Sequence, residues 1–319
     1  MSDQNSGYRP VAALAAALMA AAVQLPFVGK AVHMDEPLFL YTAEHASVEP
    51  GRPGNFPFNW YGTAEPMSRV NNNPPALAYL LAALRRAGLL DIKSLRLALL
   101  PFDMLAAAAL FGLAGLFLKN PFLPTLAVLA SPAWIVNMTH LQAEKPALAL
   151  GAAGLYLAAR SVEGQDRPLW PAAALLAGAS LFKFGALFFV FPAACYLLHR
   201  GAGARRAAGF AAAAAFPLAA LLVWDFFRGG EGLGPALTVL SQTGGSWAAK
   251  AYKLRAFVCF TGGACLAVLA WPWFAPAMTR RLAAMAVFLA AALLLPWWDA
   301  EPVRGLDRAV GLLFGAGGL

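Results

Sequence analysis

The sequence predicts an all-α fold, a polytopic transmembrane helix bundle of about ten spans with a long first extracytoplasmic loop that contains interfacial helices. The chain of 319 residues is 60% hydrophobic and only 13% charged, whereas a globular domain is about one quarter charged. Its mean hydropathy is +0.62. Apolar runs long enough for a helix to cross hydrocarbon recur along most of the chain, without the alternating pattern of barrel strands.

The predicted spans are apolar runs rich in Ala and Leu. The first, Val11–Val28, ends without a small-residue cleavage site, so we expect a retained helix rather than a signal peptide. Pro74–Leu84 covers only about half of the 30 Å hydrocarbon core and predicts an interfacial helix. The later spans are expected at Leu95–Leu118, Pro121–Val136, Pro146–Ala159, Leu169–Phe182, Phe184–Leu198, Ala207–Trp224, Leu254–Phe274, Leu282–Trp297 and Ala309–Leu319.

Charge predicts the orientation of these spans. With a cytoplasmic N-terminus and Pro74–Leu84 outside the count, most basic clusters, such as Arg205-Arg206, fall on the cytoplasmic side. We therefore expect a multi-pass protein of the inner (plasma) membrane. Residues 1–225 form the predicted core with its outer loop 30–94, and residues 226–319 add transmembrane helices and no soluble domain. The net charge of +8 is explained by the basic loops, so the expected partners include membrane lipids and no nucleic acid.

Two adjacent carboxylates, Asp35 and Glu36, follow the first span. An aspartate here predicts a catalytic group on the outer face, or a helix N-cap with Glu36 as a solvated acid of the first turn. The apolar residues before Tyr41 predict that an interfacial helix begins here. On local sequence alone, the capping interpretation is favoured because caps are common.

Two further polar sites interrupt apolar segments. His140 and Glu144 are four residues apart and would share a helix face, where they could bind a metal or a phosphate or simply begin a helix. Lys183 interrupts nearly thirty apolar residues, as an interfacial lysine or as a cation facing a lipid phosphate. Asn73 ends an asparagine run before Pro74-Pro75 and predicts a cap for the interfacial helix.

The ordered set of these motifs resembles the C-type glycosyltransferase superfamily, in the branch of the protein O-mannosyltransferases and aminoarabinose transferases. The likeness covers Val11 to Leu198. It consists of D-E-x-x-x-x-Y, a polar loop, N-x-P-P-x-L-x-Y-L-L-x-A-L, an arginine opening the next span (Arg96), an acidic turn and a lysine turn.

The resemblance implies an enzyme that transfers a sugar from a polyprenyl-phosphate donor to a lipid, glycan or protein acceptor on the outer face. Asp35 matches the catalytic aspartate, and its neighbour Glu36 is the second candidate catalytic residue. Glu144 stands where many members have aspartate, which leaves a divalent metal open as a cofactor with Glu144 and His140 as its candidate ligands. Lys183 matches a lysine near the donor phosphate. The other candidate substrate-binding residues are Tyr41, Arg69 as a weaker phosphate anchor, and Asn73, where many relatives have Lys or His.

Such a donor already carries a good leaving group, so the reaction needs a base for the acceptor hydroxyl and a cation for the departing phosphate. The expected base is Asp35, and direct displacement predicts inversion at the sugar carbon. The alternative is a transporter or flippase of a lipid-linked precursor, which would use charges within the bilayer such as Asp103 and Arg255. A non-catalytic assembly subunit is a third interpretation.

Overall fold

The computed structural model describes residues 8–33, 35–163 and 168–227, and these ranges are mostly helical. The α-helices, numbered in chain order, are α1 (Tyr8–Gln24), α2 (Glu36–Val48), α3 (Met67–Val70), α4 (Ala76–Arg86), α5 (Ile92–Phe117), α6 (Phe122–Leu129), α7 (Pro132–Met138), α8 (Glu144–Val162), α9 (Trp170–Phe182), α10 (Val190–His199) and α11 (Ala204–Phe227). Short 3-10 helices follow α1 and precede α10, at Leu25–Phe27 and Phe184–Phe189. Residues 130–135 belong to a second compact unit, and the site described below lies in the first.

Three of the described helical segments are long and apolar enough to cross a membrane: Pro10–Phe27, Ile92–Phe117 and Ala204–Phe227. They support the prediction of a helical membrane protein. The count of about ten spans stays a prediction, because Leu254–Phe274 and the two later expected spans lie outside the described residues, as does most of the predicted C-terminal domain 226–319.

The predicted span Pro121–Val136 is not one helix. Helix α6 ends at Leu129 and α7 begins at Pro132. Proline disfavours helical backbone at the residue before it and suits the first position of a new helix. The backbone N–H of Trp134 donates to the hydroxyl of Ser131 at 3.2 Å, as in an N-cap. The interruption therefore follows from the Ser-Pro pair.

Helix α4 lies where the sequence predicts an interfacial helix. Its buried face, Leu77 and Leu81, packs with Phe39 of α2 and with Leu95 and Leu99 of α5. The last turn of α4 carries Arg85 and Arg86. Burying one apolar stripe against two neighbours is what an amphipathic helix of eleven residues needs in order to be stable. This packing fixes α2, and with it Asp35 and Glu36, against the start of α5.

Helix α8 packs between α5 and α9, and small residues allow the close approach. A Cβ on Gly154 would lie 2.7 Å from Cγ of Leu176 and 3.2 Å from the carbonyl oxygen of Ala172. Glycine is therefore required where α8 meets α9. The acidic Glu144 at the start of α8 and Arg160 in its last turn suit the helix dipole.

A two-stranded antiparallel hairpin lies in the polar loop after α2, which the all-α prediction did not include. Strand β1 (Pro57–Asn59) pairs with β2 (Ala64–Pro66), with Phe58 opposite Glu65. The Phe56 ring before β1 stacks on His45 of α2 with centroids 4.7 Å apart. A hairpin this short needs such packing to be stable.

Candidate active site

Glu36 is the buried centre of a polar cluster that joins three segments of the chain. Its side chain is fully buried. Its two carboxylate oxygens accept hydrogen bonds from Nη2 of Arg96 at 3.0 and 2.9 Å. The backbone N–H groups of His33 and Leu141 each donate to it at 2.8 Å. A carboxylate occupied in this way holds the three segments together, so the geometry favours a positioning role over the predicted catalytic one.

Arg96 fastens the connection between α1 and α2 to helix α5. Its guanidinium is 2% exposed, and besides Glu36 it donates to the carbonyl oxygens of Val28 at 3.1 Å, Ala31 at 3.1 Å and Lys30. The planar fork of arginine suits this set of acceptors. The sequence marks Arg96 only as the opening of a span, and its buried role depends on a connection more than sixty residues earlier.

Asp35 is exposed, in contrast with its neighbour. It occupies the N-cap position of α2, but its side chain makes no capping hydrogen bond. Its backbone carbonyl accepts from the N–H of Leu38 at 3.0 Å. The capping interpretation of Asp35 is therefore wrong for the side chain. Within the described residues, its carboxylate faces solvent beside the anchored Glu36.

His140 lies in the turn between α7 and α8, residues 139–143, and not in a helix with Glu144. The expectation that the two share a helix face is wrong. Nδ1 of His140 is 3.8 Å from Oε1 of Glu36, and Nζ of Lys30 lies 3.1 Å from both ring nitrogens. Burial, and next the positive charge of Lys30, lower the pKa of His140. A neutral imidazole accepts from Lys30 in this position.

Glu144 begins α8 and is paired with Lys183, which follows the last residue of α9. Their side chains are 34% and 38% exposed. The structure thus brings together two residues that the sequence proposed for the substrate, and gives the lysine a carboxylate partner. The next residue along α8, Lys145, forms a second ion pair.

Lys145 and Asp103 form a buried ion pair between α8 and α5, with 3.0 Å between Nζ and Oδ2. Sequence reasoning did not include Lys145 in the site. The signal was available, because two opposite charges at membrane depth in neighbouring spans suggest a pair. Arg96 and Glu36 are close enough to act electrostatically on Lys145. The turn before α8 and the first two residues of α8 therefore carry the contacts with Glu36, Lys30, Asp103 and Lys183.

The other predicted substrate-binding residues lie in the first polar loop. Tyr41 is half exposed and its ring is 5.3 Å from that of Phe58. Arg69 is exposed on α3. Asn73 donates from its amide to Oδ1 of Asn71 at 3.0 Å, and no side chain caps α4. The predicted capping role of Asn73 is therefore wrong, and its role in substrate binding stays a prediction.

The predicted metal ligands do not come together. Glu144 pairs with Lys183, while His140 faces Lys30 and Glu36. Across residues 8–33, 35–163 and 168–227, no group of three His, Cys, Asp or Glu side chains is placed to hold a metal ion. The described arrangement of His140 and Glu144 does not fit a shared divalent metal ion.

Comparison with protein-family models, with curated proteins and with solved structures finds no match. The functional interpretation therefore depends on the geometry of the cluster and on the resemblance of its motifs.

Proposed function

We propose that the chain is an integral membrane glycosyltransferase that transfers a sugar from a polyprenyl-phosphate donor to a lipid, glycan or protein acceptor. The site lies on the extracytoplasmic face of the inner (plasma) membrane, in a bundle of about ten spans whose N-terminus is cytoplasmic. The proposal rests on one observation above all, which is that Asp35 has an exposed carboxylate beside a rigidly held Glu36.

The reaction requires few groups. Asp35 takes the proton of an acceptor hydroxyl, the hydroxyl oxygen forms a bond to the anomeric carbon, and the bond from that carbon to the phosphate oxygen breaks. The polyprenyl phosphate leaves with the bonding electrons, and attack opposite to it inverts the sugar carbon. A cation holds the departing phosphate, and Lys183 is the candidate that the resemblance supplies.

The contacts around Asp35 support its role as base. A general base must be held within hydrogen-bond reach of its proton, and the preceding connection is fixed by Arg96 through three carbonyl groups. The following residue, Glu36, is fixed through both carboxylate oxygens. The chain is thus anchored at residues 28–31 before Asp35 and at Glu36 after it, while the Asp35 side chain makes no capping hydrogen bond.

Replacing Asp35 by Asn tests this proposal. We expect the rate of sugar transfer to fall by roughly 10²–10⁴-fold, the usual contribution of a general base, while the protein still inserts and folds. The measurement is the transfer of label from a polyprenyl-phosphate sugar to membrane extract by purified protein. Glu44→Gln is the matched control, because Glu44 is an exposed acid on the same helix, and it should leave the rate unchanged. Full transfer by Asp35→Asn would remove Asp35 from the mechanism.

The transporter alternative depends on charged groups within the bilayer, and Asp103 is the strongest of these. Its carboxylate is neutralised by Lys145, and both side chains are buried. A fixed pair supports a structural role more than a path for substrate. Reconstituted protein that moves a labelled lipid-linked sugar across a vesicle membrane, without transferring it, would favour the alternative.

A further inference from the structure

The charged groups of the cluster pair one to one, with two exceptions. Three ion pairs are formed, Arg96 with Glu36, Lys145 with Asp103, and Lys183 with Glu144. In the described ranges, the two charged groups at this site left outside such a pair are the Asp35 carboxylate and the Lys30 ammonium. Asp35 already has a role as base in the proposed reaction, so the cation without its own carboxylate remains to be explained.

Lys30 is partly exposed and held in place by neutral groups. Its Nζ donates to Oγ1 of Thr139 at 2.9 Å, and the Thr139 hydroxyl in turn donates to the carbonyl of Val136 at 3.0 Å. The second partner is the ring of His140. An ammonium group has three N–H donors, so one donor remains for a ligand on the open side.

The position of Lys30 suits a lipid headgroup. The candidate span Pro10–Phe27 ends three residues before it, and the connection that carries it is bound to Arg96 through the Lys30 carbonyl itself. A side chain just beyond the end of a span lies at the depth of lipid phosphates. The exposed ring of His33, with its centroid 5.7 Å from that of His140, adds a donor at the rim.

We propose that Lys30, with Thr139, His140 and His33 around it, forms a binding site for a phosphate ester, and that within the proposed function this site holds the phosphate of the polyprenyl donor. The inference rests on the proposed function only for the identity of the occupant. It assigns the phosphate to Lys30 rather than to Lys183, because a phosphate at Lys183 must compete with Glu144, whereas Lys30 offers an uncompensated charge.

Electrostatics within the cluster agree with this assignment. Burial lowers the pKa of Lys30; among the charges, Glu36 raises it while Arg96 and Lys145 lower it. Glu36 is shared with Arg96 and two backbone N–H groups, so it does not serve Lys30 alone. An incoming phosphate would supply the missing negative charge.

The test measures binding separately from transfer. Full-length protein in detergent micelles is titrated with polyprenyl phosphate that carries no sugar. We expect Lys30→Met to weaken binding by about tenfold or more, the effect of losing a charge-assisted hydrogen bond. Lys30→Arg, which keeps the charge, should recover most of the affinity. Lys183→Met should change the affinity less than Lys30→Met does, and Lys93→Met, which removes an exposed lysine at the start of α5, should not change it.

Unchanged binding by Lys30→Met, in a protein whose unfolding temperature equals that of the wild type, would overturn the assignment. A larger loss in Lys183→Met than in Lys30→Met would overturn it as well. If Lys30→Met proves unstable, His33→Ala at the exposed rim provides the second variant. We expect this variant to lose affinity several-fold. Unchanged affinity in His33→Ala would also overturn the assignment.

Two further measurements identify the lipid that binds at Lys30 and distinguish failure of this inference from failure of the proposed function. Phosphatidylglycerol that displaces polyprenyl phosphate at equal concentration would identify a general headgroup site and overturn the donor assignment, whereas no displacement supports it. Asp35→Asn should bind polyprenyl phosphate as the wild type does. Normal binding without any sugar transfer by the wild type would refute the proposed function alone, and normal transfer by Lys30→Met would refute this inference alone.

Discussion

His140 is held between a lysine and a carboxylate, and its protonation state affects both contacts. Its pKa lies below the ordinary value of 6.5 because of burial and the charge of Lys30. The unfolded chain therefore binds a proton at a higher pH than the native protein does. The stability that comes from a neutral His140 is complete above about pH 6.5 and is lost as the pH falls from there through the lower, native pKa.

We expect the free energy of unfolding to decrease as the pH falls below about 6.5, and His140→Gln to flatten this dependence. Thermal unfolding of the purified protein across this range measures the effect. His199→Gln is the control, because His199 is an exposed histidine at the end of α10. An equal slope in wild type and His140→Gln would show that another group titrates.

At this scale the sequence identified the site residues better than their roles. Asp35 and Glu36 are adjacent, and nothing local shows which of them is buried. That outcome depends on Arg96, sixty residues later, and on the N–H of Leu141. Lys30 was not singled out, because a lysine just after a span usually marks the membrane interface.

At the scale of elements, the pair between α5 and α8 links the two segments that carry the site. Removing one partner leaves a charge buried without compensation, which typically costs about 3–5 kcal/mol. We expect Asp103→Leu to lower the unfolding temperature strongly, and the double variant with Lys145→Met to recover most of the loss. Calorimetry or static light scattering of protein in micelles provides the measurement.

The partly exposed pair of Glu163 with Arg200, 3.1 Å apart, is the matched comparison. Glu163→Gln should cost no more than about 1 kcal/mol, since exposed ion pairs contribute little. If Asp103→Leu had no larger effect than this, the buried pair would not stabilise the bundle.

Helix positions follow from apolar runs, and their interruptions follow from less obvious signals. The interfacial helix at Pro74–Leu84 was predicted because its length excludes a span, and α4 lies there. The Ser-Pro break between α6 and α7 was missed inside a continuous apolar run. The hairpin was missed because its three-residue strands include proline and asparagine, and it depends on packing such as that of Phe56 on His45.

At the scale of the whole molecule, the predicted orientation of the chain in the membrane is directly measurable. Cysteines introduced at Glu49 and Arg205, both exposed, should react from opposite sides of sealed vesicles with an impermeant maleimide. The native Cys195, Cys259 and Cys265 are replaced by serine beforehand. We expect Glu49 to be extracytoplasmic and Arg205 cytoplasmic.

Labelling of both positions from one side would mean that the number of spans between them differs in parity from the prediction, with the Pro74–Leu84 segment crossing the membrane.

The composition alone was sufficient to predict a helical membrane protein, and the three long apolar helices support it. The number of spans was harder to predict, because segments such as α9 are only thirteen residues long and almost entirely apolar. Hydropathy does not separate a short span of this kind from a packed core helix.

Arg96 and Asp103 are seven residues apart on one face of α5, about 10 Å along its axis. One holds the segment that precedes α2, and the other holds the beginning of α8. Helix α5 therefore sets the distance between the two segments that carry Asp35 and Glu144. A tilt of α5 in a thicker bilayer would therefore move both segments together and preserve the spacing between Asp35 and Glu144.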